Sequence, residues 1–156
     1  MVETSALKDA YLVAGLKEPE VAQVAALADI RLFNSGDCIT KLGDPSKDLF
    51  VILSGKVKAT SSDGDLLGEV GANSVVGEMG LVDALTANAN VTAVGPVSAA
   101  VIPTASLRRL MSQNRDWGFV MLSNISRVMA GRLRQTNARI DELCDLTTEP
   151  WQHSLG

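Results

Sequence analysis

Residues 71–93 read Gly-Ala-Asn-Ser-Val-Val-Gly-Glu-Met-Gly-Leu-Val-Asp-Ala-Leu-Thr-Ala-Asn-Ala-Asn-Val-Thr-Ala, and they interrupt a series of apolar, strand-like runs. Three glycines (Gly71, Gly77 and Gly80) lie close together here, and the acid Glu78 stands among small and apolar neighbours. Glycine permits positive φ and a close approach of other groups to the main chain. Consecutive exposed N–H groups in such a segment can bind an anion. The stretch therefore predicts a small-ligand pocket that contains a carboxylate.

The composition is that of an ordinary globular domain. Of the 156 residues, 46% are hydrophobic and 21% charged, with a formal net charge of −4 and a pI of about 4.9. An acidic chain is a poor non-specific binder of nucleic acid or anionic membrane, because both require a basic patch. We expect neither a transmembrane helix nor a secretory signal, and no membrane partner. Cys38 and Cys144 stand far apart, which indicates free thiols and predicts a cytoplasmic location.

Short apolar runs separated by Gly, Asp and Asn turns predict the architecture. Some eight such strands favour a mainly β, α+β fold, an eight-stranded antiparallel jelly-roll barrel. The apolar runs that predict strands include residues 30–33, 38–42, 49–53, 57–60, 66–70, 90–94 and 97–102. We expect one domain over residues 1–156, with N-terminal helices (1–28), the β-roll (29–103, including the cassette 71–93), C-terminal helices (104–147) and a flexible tail (148–156). The N-terminal helices are predicted at residues 6–16 and from Lys17 onward.

The longest predicted element is a helix from about Asp116 to Leu146. In its later part, apolar or seam residues recur at spacings of 4, 3, 4 and 3, which is typical of the a/d seam of a coiled coil. These residues are Met129, Leu133, Thr136, Ile140 and Leu143. An amphipathic helix that projects from its domain cannot bury such a stripe alone. We predict a parallel homodimer through this helix; the alternative is that the stripe packs back on its own chain.

Three strings, in order along the chain, resemble the cyclic nucleotide-binding domain family, in particular the sensor half of the bacterial catabolite activator protein superfamily. They are Gly36-Asp-Cys-Ile-Thr-Lys-Leu-Gly-Asp-Pro, Leu49-Phe-Val-Ile-Leu-Ser-Gly-Lys-Val and Val76-Gly-Glu-Met-Gly-Leu, and the long helix then carries Met129-Ala-Gly-Arg-Leu-Arg-Gln-Thr-Asn. The resemblance covers about residues 7–143. It implies a regulatory sensor with a cyclic nucleotide ligand, cAMP or cGMP. We see no room for a helix-turn-helix domain after the long helix, so we expect no direct DNA binding.

The resemblance also assigns roles within the cassette. In the family, backbone N–H groups meet the cyclic phosphate, and a Glu accepts a hydrogen bond from the ribose 2′-OH. That Glu corresponds to Glu78, between Gly77 and Met79.

The phosphate side of the cassette departs from the family pattern. The phosphate-pairing Arg of the family corresponds to Ala87, and a neighbouring Ser corresponds to Asn88, which precedes Ala89. No Arg or Lys occurs between Lys58 and Arg108, so the cassette has no cation of its own. Weak binding, a different ligand and no ligand all stay open.

A second ligand contact is implied on the long helix. In the bacterial transcription factors of this superfamily, a Thr-Ser pair on the dimer helix contacts the purine base across the dimer. Thr136 and Asn137 fall at that place. The alternative is that a polar seam residue only sets the register of the coiled coil.

The sequence favours a non-enzymatic protein. We find no nucleophile–base arrangement and no metal-binding cluster, so we predict no catalytic residue, no metal and no cofactor beyond the possible nucleotide. The pair Arg108 and Arg109 is interpreted as a solvated helix face. Two other functions remain open: a ligand-free interaction or scaffold module with an unknown downstream protein partner, and a regulatory fragment of a larger protein.

Overall fold

The computed structural model describes residues 2–83 and 85–147. The chain forms two compact units, the first extending to Asn124 and the second beginning at Ile125. The strands are β1 (Asp29–Phe33), β2 (Cys38–Thr40), β3 (Asp48–Thr60), β4 (Leu66–Val70), β5 (Val75–Val76) and β6 (Asn90–Pro103). The helices are α1 (Thr4–Leu7), α2 (Glu18–Ala25), α3 (Glu78–Asp83), α4 (Thr104–Gln113) and α5 (Arg115–Thr147), with a 3₁₀ turn at Tyr11–Val13. No described helix combines the length and apolar character needed to cross a membrane.

The N-terminal segment differs from its prediction. The expected helix over residues 6–16 is wrong, because α1 ends at Leu7 and only the short 3₁₀ turn follows. The main-chain N–H of Tyr11 donates to the carbonyl of Asn73 at 3.1 Å, so a tertiary contact takes the group that a helix would use. The helix expected after Lys17 is confirmed, and the Glu20 carboxylate accepts from the Lys17 N–H at 2.8 Å.

The described strands form one antiparallel sheet of six strands, so the predicted count of eight is wrong. The path runs β1-β6-β3-β4, with β2 paired to β6 and β5 paired to β3, and it does not close into the predicted jelly-roll barrel within the described residues. The count falls because two predicted strand pairs are continuous: residues 49–53 and 57–60 both lie in β3, and residues 90–94 and 97–102 both lie in β6.

The long strands bend together at two irregular points. The β3–β6 register shifts between Ile52 and Lys56, next to Gly55, which has a φ of 93°. A Cβ at Gly55 would collide with the Pro96 carbonyl of β6. Ser54-Gly55 therefore acts as a bulge that bends a strand, where the sequence pattern predicted the end of one.

The sheet carries a buried apolar core in the first unit. Apolar side chains of five strands form one buried cluster, and Phe33 and Phe50 meet edge to face with ring centroids 6.3 Å apart. The cluster comprises Phe33, Ile39, Phe50, Ile52, Val57, Val76, Val91, Ala93, Val97, Ala99 and Val101. This core fixes the positions of β5 and β6. The connection between these two strands forms most of the cassette.

The C-terminal helices begin directly after β6. The N–H and Oγ1 of Thr104 both donate to the Lys47 carbonyl at 3.0 Å, which anchors the start of α4. The long helix is confirmed as α5, within a residue of its predicted ends. In the second unit its seam residues Leu133, Ile140 and Leu143 are 61%, 51% and 63% exposed, and the predicted homodimer stays a prediction.

Candidate functional site

The cassette turns out of β5 at Gly77 and enters α3 at Glu78. Gly77 has a φ of 86°, and a Cβ there would meet the Asp48 carbonyl oxygen at 2.7 Å, so the position requires glycine. Glu78 is the first residue of α3 and is only 3% exposed, while Met79 is half-buried. The turn therefore buries the carboxylate of Glu78 directly after Gly77, a residue with no side chain.

The short helix α3 is wedged against the loop between β2 and β3, residues 41–47. A Cβ at Gly80 would collide with the side chain of Ser46 and would lie 2.8 Å from its carbonyl oxygen. Gly80 itself is buried. Because this contact admits no side chain, the second glycine of the Gly-Glu-Met-Gly string holds the helix close to the loop.

The return segment of the cassette pairs with the same loop. The N–H of Ala87 donates to the Asp44 carbonyl, and the N–H of Gly43 donates to the Ala87 carbonyl, each at 2.9 Å. Thr86 forms an isolated antiparallel bridge with Pro45. The backbone at Ala87 is therefore held on both sides, and its N–H is already used within the protein.

The neutral side chains of the return segment are not equally available to a ligand. The Oδ1 of Asn90 accepts from the Leu42 N–H at 2.9 Å, so that amide oxygen already serves the fold. Ala87 is half-buried and Ala89 is 8% exposed, whereas Asn88 is exposed. Of the residues predicted on the phosphate side, Asn88 is the one whose polar side chain faces solvent.

The loop that pairs with the cassette has a lysine at each end. Lys41 and Lys47 bound this loop and are both exposed. Lys41 precedes the two residues, Gly43 and Asp44, that pair with Ala87. This main-chain pairing joins segments more than 40 residues apart, so no local sequence pattern indicates it.

Sequence reasoning also missed the contact made by Arg108. This residue, assigned to a solvated helix face, donates from Nη2 to the carbonyls of Gly80 (3.1 Å) and Leu81 (2.8 Å), and from Nε to Leu81 at 3.3 Å. Arg108 is exposed, as predicted for a solvated helix face, but it also makes these contacts with α3, which the prediction did not include. No local signal marks it, because its neighbour Arg109 has the same sequence context and is exposed.

The two predicted base-contact residues lie on the part of α5 that belongs to the second unit. Thr136 and Asn137 are both exposed, and the Thr136 hydroxyl donates to the Arg132 carbonyl at 3.0 Å, one turn earlier in the helix. Their contact with a base stays a prediction. The six predicted cassette residues, by contrast, lie in the first unit on the connection between β5 and β6: Gly77, Glu78, Met79, Ala87, Asn88 and Ala89.

Comparison with known proteins identifies related domains. The model of the cyclic nucleotide-binding domain family matches residues 30–114, which include all of the cassette. Among curated proteins, glutaminase 1 of Bradyrhizobium diazoefficiens is 33% identical over 141 residues, 90% of this chain and 23% of that protein. The CRP-like cAMP-activated global transcriptional regulator of Mycobacterium tuberculosis is 29% identical over 115 residues, 71% of this chain and 50% of the regulator.

A solved structure shows the same fold. The catabolite activator protein of Thermus thermophilus superposes with a TM-score of 0.72 at 26% sequence identity, covering 86% of this chain and 63% of that protein. The chain thus spans about a quarter of the glutaminase and half of the regulator.

Proposed function

This chain belongs to the cyclic nucleotide-binding domain family, and we propose that it is a non-enzymatic regulatory sensor whose cassette binds a cyclic nucleotide weakly. The observation that carries the proposal is the buried Glu78, 3% exposed, directly after the glycine turn at Gly77. A carboxylate held there can accept a hydrogen bond from a ligand hydroxyl, and hydrogen bonds to a charged acceptor are among the stronger ones. The family match covers this segment, which makes a ribose hydroxyl the natural donor.

Cyclic AMP is the first ligand to test. The related mycobacterial regulator is described as cAMP-activated, and this chain aligns with half of it. Cyclic GMP shares the ribose and the cyclic phosphate, so Glu78 alone does not distinguish the two. Base selection would fall to Thr136 and Asn137, whose exposed side chains leave them accessible to a base.

Low affinity is expected from the phosphate side. Ala87 offers no charge, and its N–H is already paired with Asp44. A missing hydrogen bond to a charged group costs roughly 1.5–3 kcal/mol. That loss corresponds to roughly a tenfold to over a hundredfold weaker Kd, since ~1.4 kcal/mol is a factor of ten. The exposed amide of Asn88 can recover part of this energy.

The sensor would act as a homodimer. The exposed stripe of Leu133, Ile140 and Leu143 on α5 matches the a/d spacing of a parallel coiled coil. A second copy of α5 covers this stripe most simply, since it presents the same spacing. Ligand binding would then shift the population between two arrangements of the dimer helices, which an unidentified downstream protein reads.

Calorimetric titration tests the ligand. Wild-type protein is titrated with cAMP and with cGMP up to millimolar concentration, with 5′-AMP as the control that lacks the cyclic phosphate. Saturable heat with a cyclic nucleotide, and less with 5′-AMP, is the expected result. Absence of heat and of any thermal shift at millimolar ligand would support the alternative of a ligand-free interaction module instead.

One curated relative is much longer than this chain, which favours a second role for the same sensor as part of a larger protein. The chain matches 23% of the Bradyrhizobium glutaminase 1, so in that protein the matching region is one part of a longer polypeptide. A regulatory segment within a larger protein is therefore a candidate role. The genomic sequence on either side of this chain tests it directly.

A further inference from the structure

The short helix α3 ends with carbonyl groups that its own residues do not satisfy. The last four carbonyls of any α-helix have no partner within the helix, and α3 has only six residues. Two of these carbonyls, those of Gly80 and Leu81, accept hydrogen bonds from the Arg108 guanidinium. A cation at a helix C-terminus also interacts favourably with the partial negative charge there. Arg108 therefore caps α3 from a different helix.

Three contacts link α3, α4 and the loop between β2 and β3, and Arg108 makes one of them. The loop between β2 and β3 holds α3 through the close contact of Ser46 with Gly80. The same loop holds the start of α4, where Thr104 donates twice to the Lys47 carbonyl. Arg108, one turn later on α4, joins α4 to α3. The loop, α3 and α4 thus each contact the other two, and Arg108 makes the contact between the two helices.

The far end of α4 is also tightly held. The Nδ2 of Asn114 donates to the Leu110 carbonyl at 3.0 Å. A Cβ at Gly118, in the first turn of α5, would lie 2.6 Å from the Met111 carbonyl oxygen. The corner between α4 and α5 therefore has little freedom to bend, and a displacement of α4 reaches the start of α5.

We propose that Arg108 is a positioning residue for the cassette: it fixes α3, and with it Glu78, relative to α4. This inference rests on the proposed function, since it treats Glu78 as the ligand contact. A ligand that draws α3 toward itself must carry Arg108 along or break its hydrogen bonds. If Arg108 moves with α3, the displacement is passed to α4; if the hydrogen bonds break, α3 loses the link that fixes it relative to α4.

Hydrogen–deuterium exchange on Arg108→Ala, Arg108→Lys and Arg109→Ala tests, without any ligand, whether Arg108 holds α3 in place. Arg109 is the matched control, because it is the next residue of α4, is exposed like Arg108, and donates to no α3 carbonyl within the described part of the chain. We expect exchange at residues 78–83 to rise about tenfold in Arg108→Ala, the lower end for charge-assisted hydrogen bonds at a partly exposed site. The exchange rate in Arg108→Lys should lie between those of wild type and Arg108→Ala, since an ammonium keeps the charge but lacks the planar fork through which Nε and Nη2 both donate to Leu81.

The pattern of exchange decides the outcome. Unchanged exchange at residues 78–83 in Arg108→Ala, or an equal rise in β3 and β6, would overturn the proposal, because the effect would be absent or global. If Arg108→Ala does not fold, Arg108→Lys and wild type still give the comparison. A parallel cAMP titration separates the two proposals. Loss of affinity for cAMP in Arg108→Ala, with partial rescue in Arg108→Lys, supports the positioning role. No binding by wild type rejects the proposed ligand, and the hydrogen-bonding role of Arg108 is then decided by exchange alone.

Discussion

Replacing Ala87 with arginine should strengthen cyclic nucleotide binding. The backbone at Ala87 is fixed by two hydrogen bonds of 2.9 Å to the loop between β2 and β3, so a new side chain starts from a defined position. Hydrogen bonds from a guanidinium to a phosphate contribute roughly 1.5–3 kcal/mol. The expected gain in affinity for cAMP is therefore roughly tenfold to over a hundredfold, at ~1.4 kcal/mol for each factor of ten.

Thr86→Arg is the matched control for this variant. It changes the formal net charge by the same amount, from −4 to −3, so it reproduces any general attraction of the anionic ligand. Adjacent side chains in extended backbone point to opposite faces, so an arginine at Thr86 should miss the phosphate. Calorimetric titration gives the two Kd values, and thermal unfolding confirms that both variants fold. If Ala87→Arg binds cAMP no more tightly than Thr86→Arg, the correspondence of Ala87 with the phosphate position is refuted.

Three further variants test the packing of the fold and its assembly. Gly80→Ala should lower stability by roughly 1–3 kcal/mol, because a methyl group overpacks the contact between α3 and the loop, whereas Gly68→Ala, in open space on β4, should leave the denaturation midpoint unchanged. Asn124→Ala should cost roughly 1–3 kcal/mol in the same assay, because this buried amide satisfies two main-chain carbonyls at 3.0 and 2.9 Å; a loss under 0.5 kcal/mol, the range of neutral surface changes, would contradict that role. Ile140→Asp should convert the proposed dimer to a monomer, as measured by size-exclusion chromatography with light scattering. Ala138→Asp adds the same charge off the seam and should leave the dimer intact. Equal behaviour of the two variants would contradict a seam through Ile140.

Local sequence patterns predicted those parts of the fold that local interactions determine. The helix after Lys17 has its own capping carboxylate, and α5 has a continuous helical pattern without proline, so both were predictable. The merged strands were not, because Ser54-Gly55 has the composition of a turn and only its partner strand makes it a bulge. The N-terminal helix failed for the same reason: the N–H of Tyr11 bonds to a residue 62 positions away.

The glycines of the candidate site were predictable from the sequence, but its long-range contacts were not. The glycine pattern pointed to Gly77 and Gly80, and the structure gives each a steric reason. The contacts of Arg108 with α3 span 27 and 28 positions and leave no periodic trace in the sequence. The pairing of Ala87 with the loop between β2 and β3 is likewise long-range, so it could not be inferred from spacing.

The most direct test of ligand binding by the cassette is a cAMP titration of wild type, Glu78→Gln and Glu69→Gln under one set of conditions. Each variant removes one negative charge, but Glu78 is buried at the start of α3 whereas Glu69 lies exposed on β4. We predict saturable binding by wild type and by Glu69→Gln, and a Kd about tenfold or more weaker for Glu78→Gln, because the hydrogen bond loses its charged acceptor. Equal affinity of all three proteins, or no saturable binding by any of them at millimolar cAMP, would contradict the assignment of Glu78 as the ligand contact.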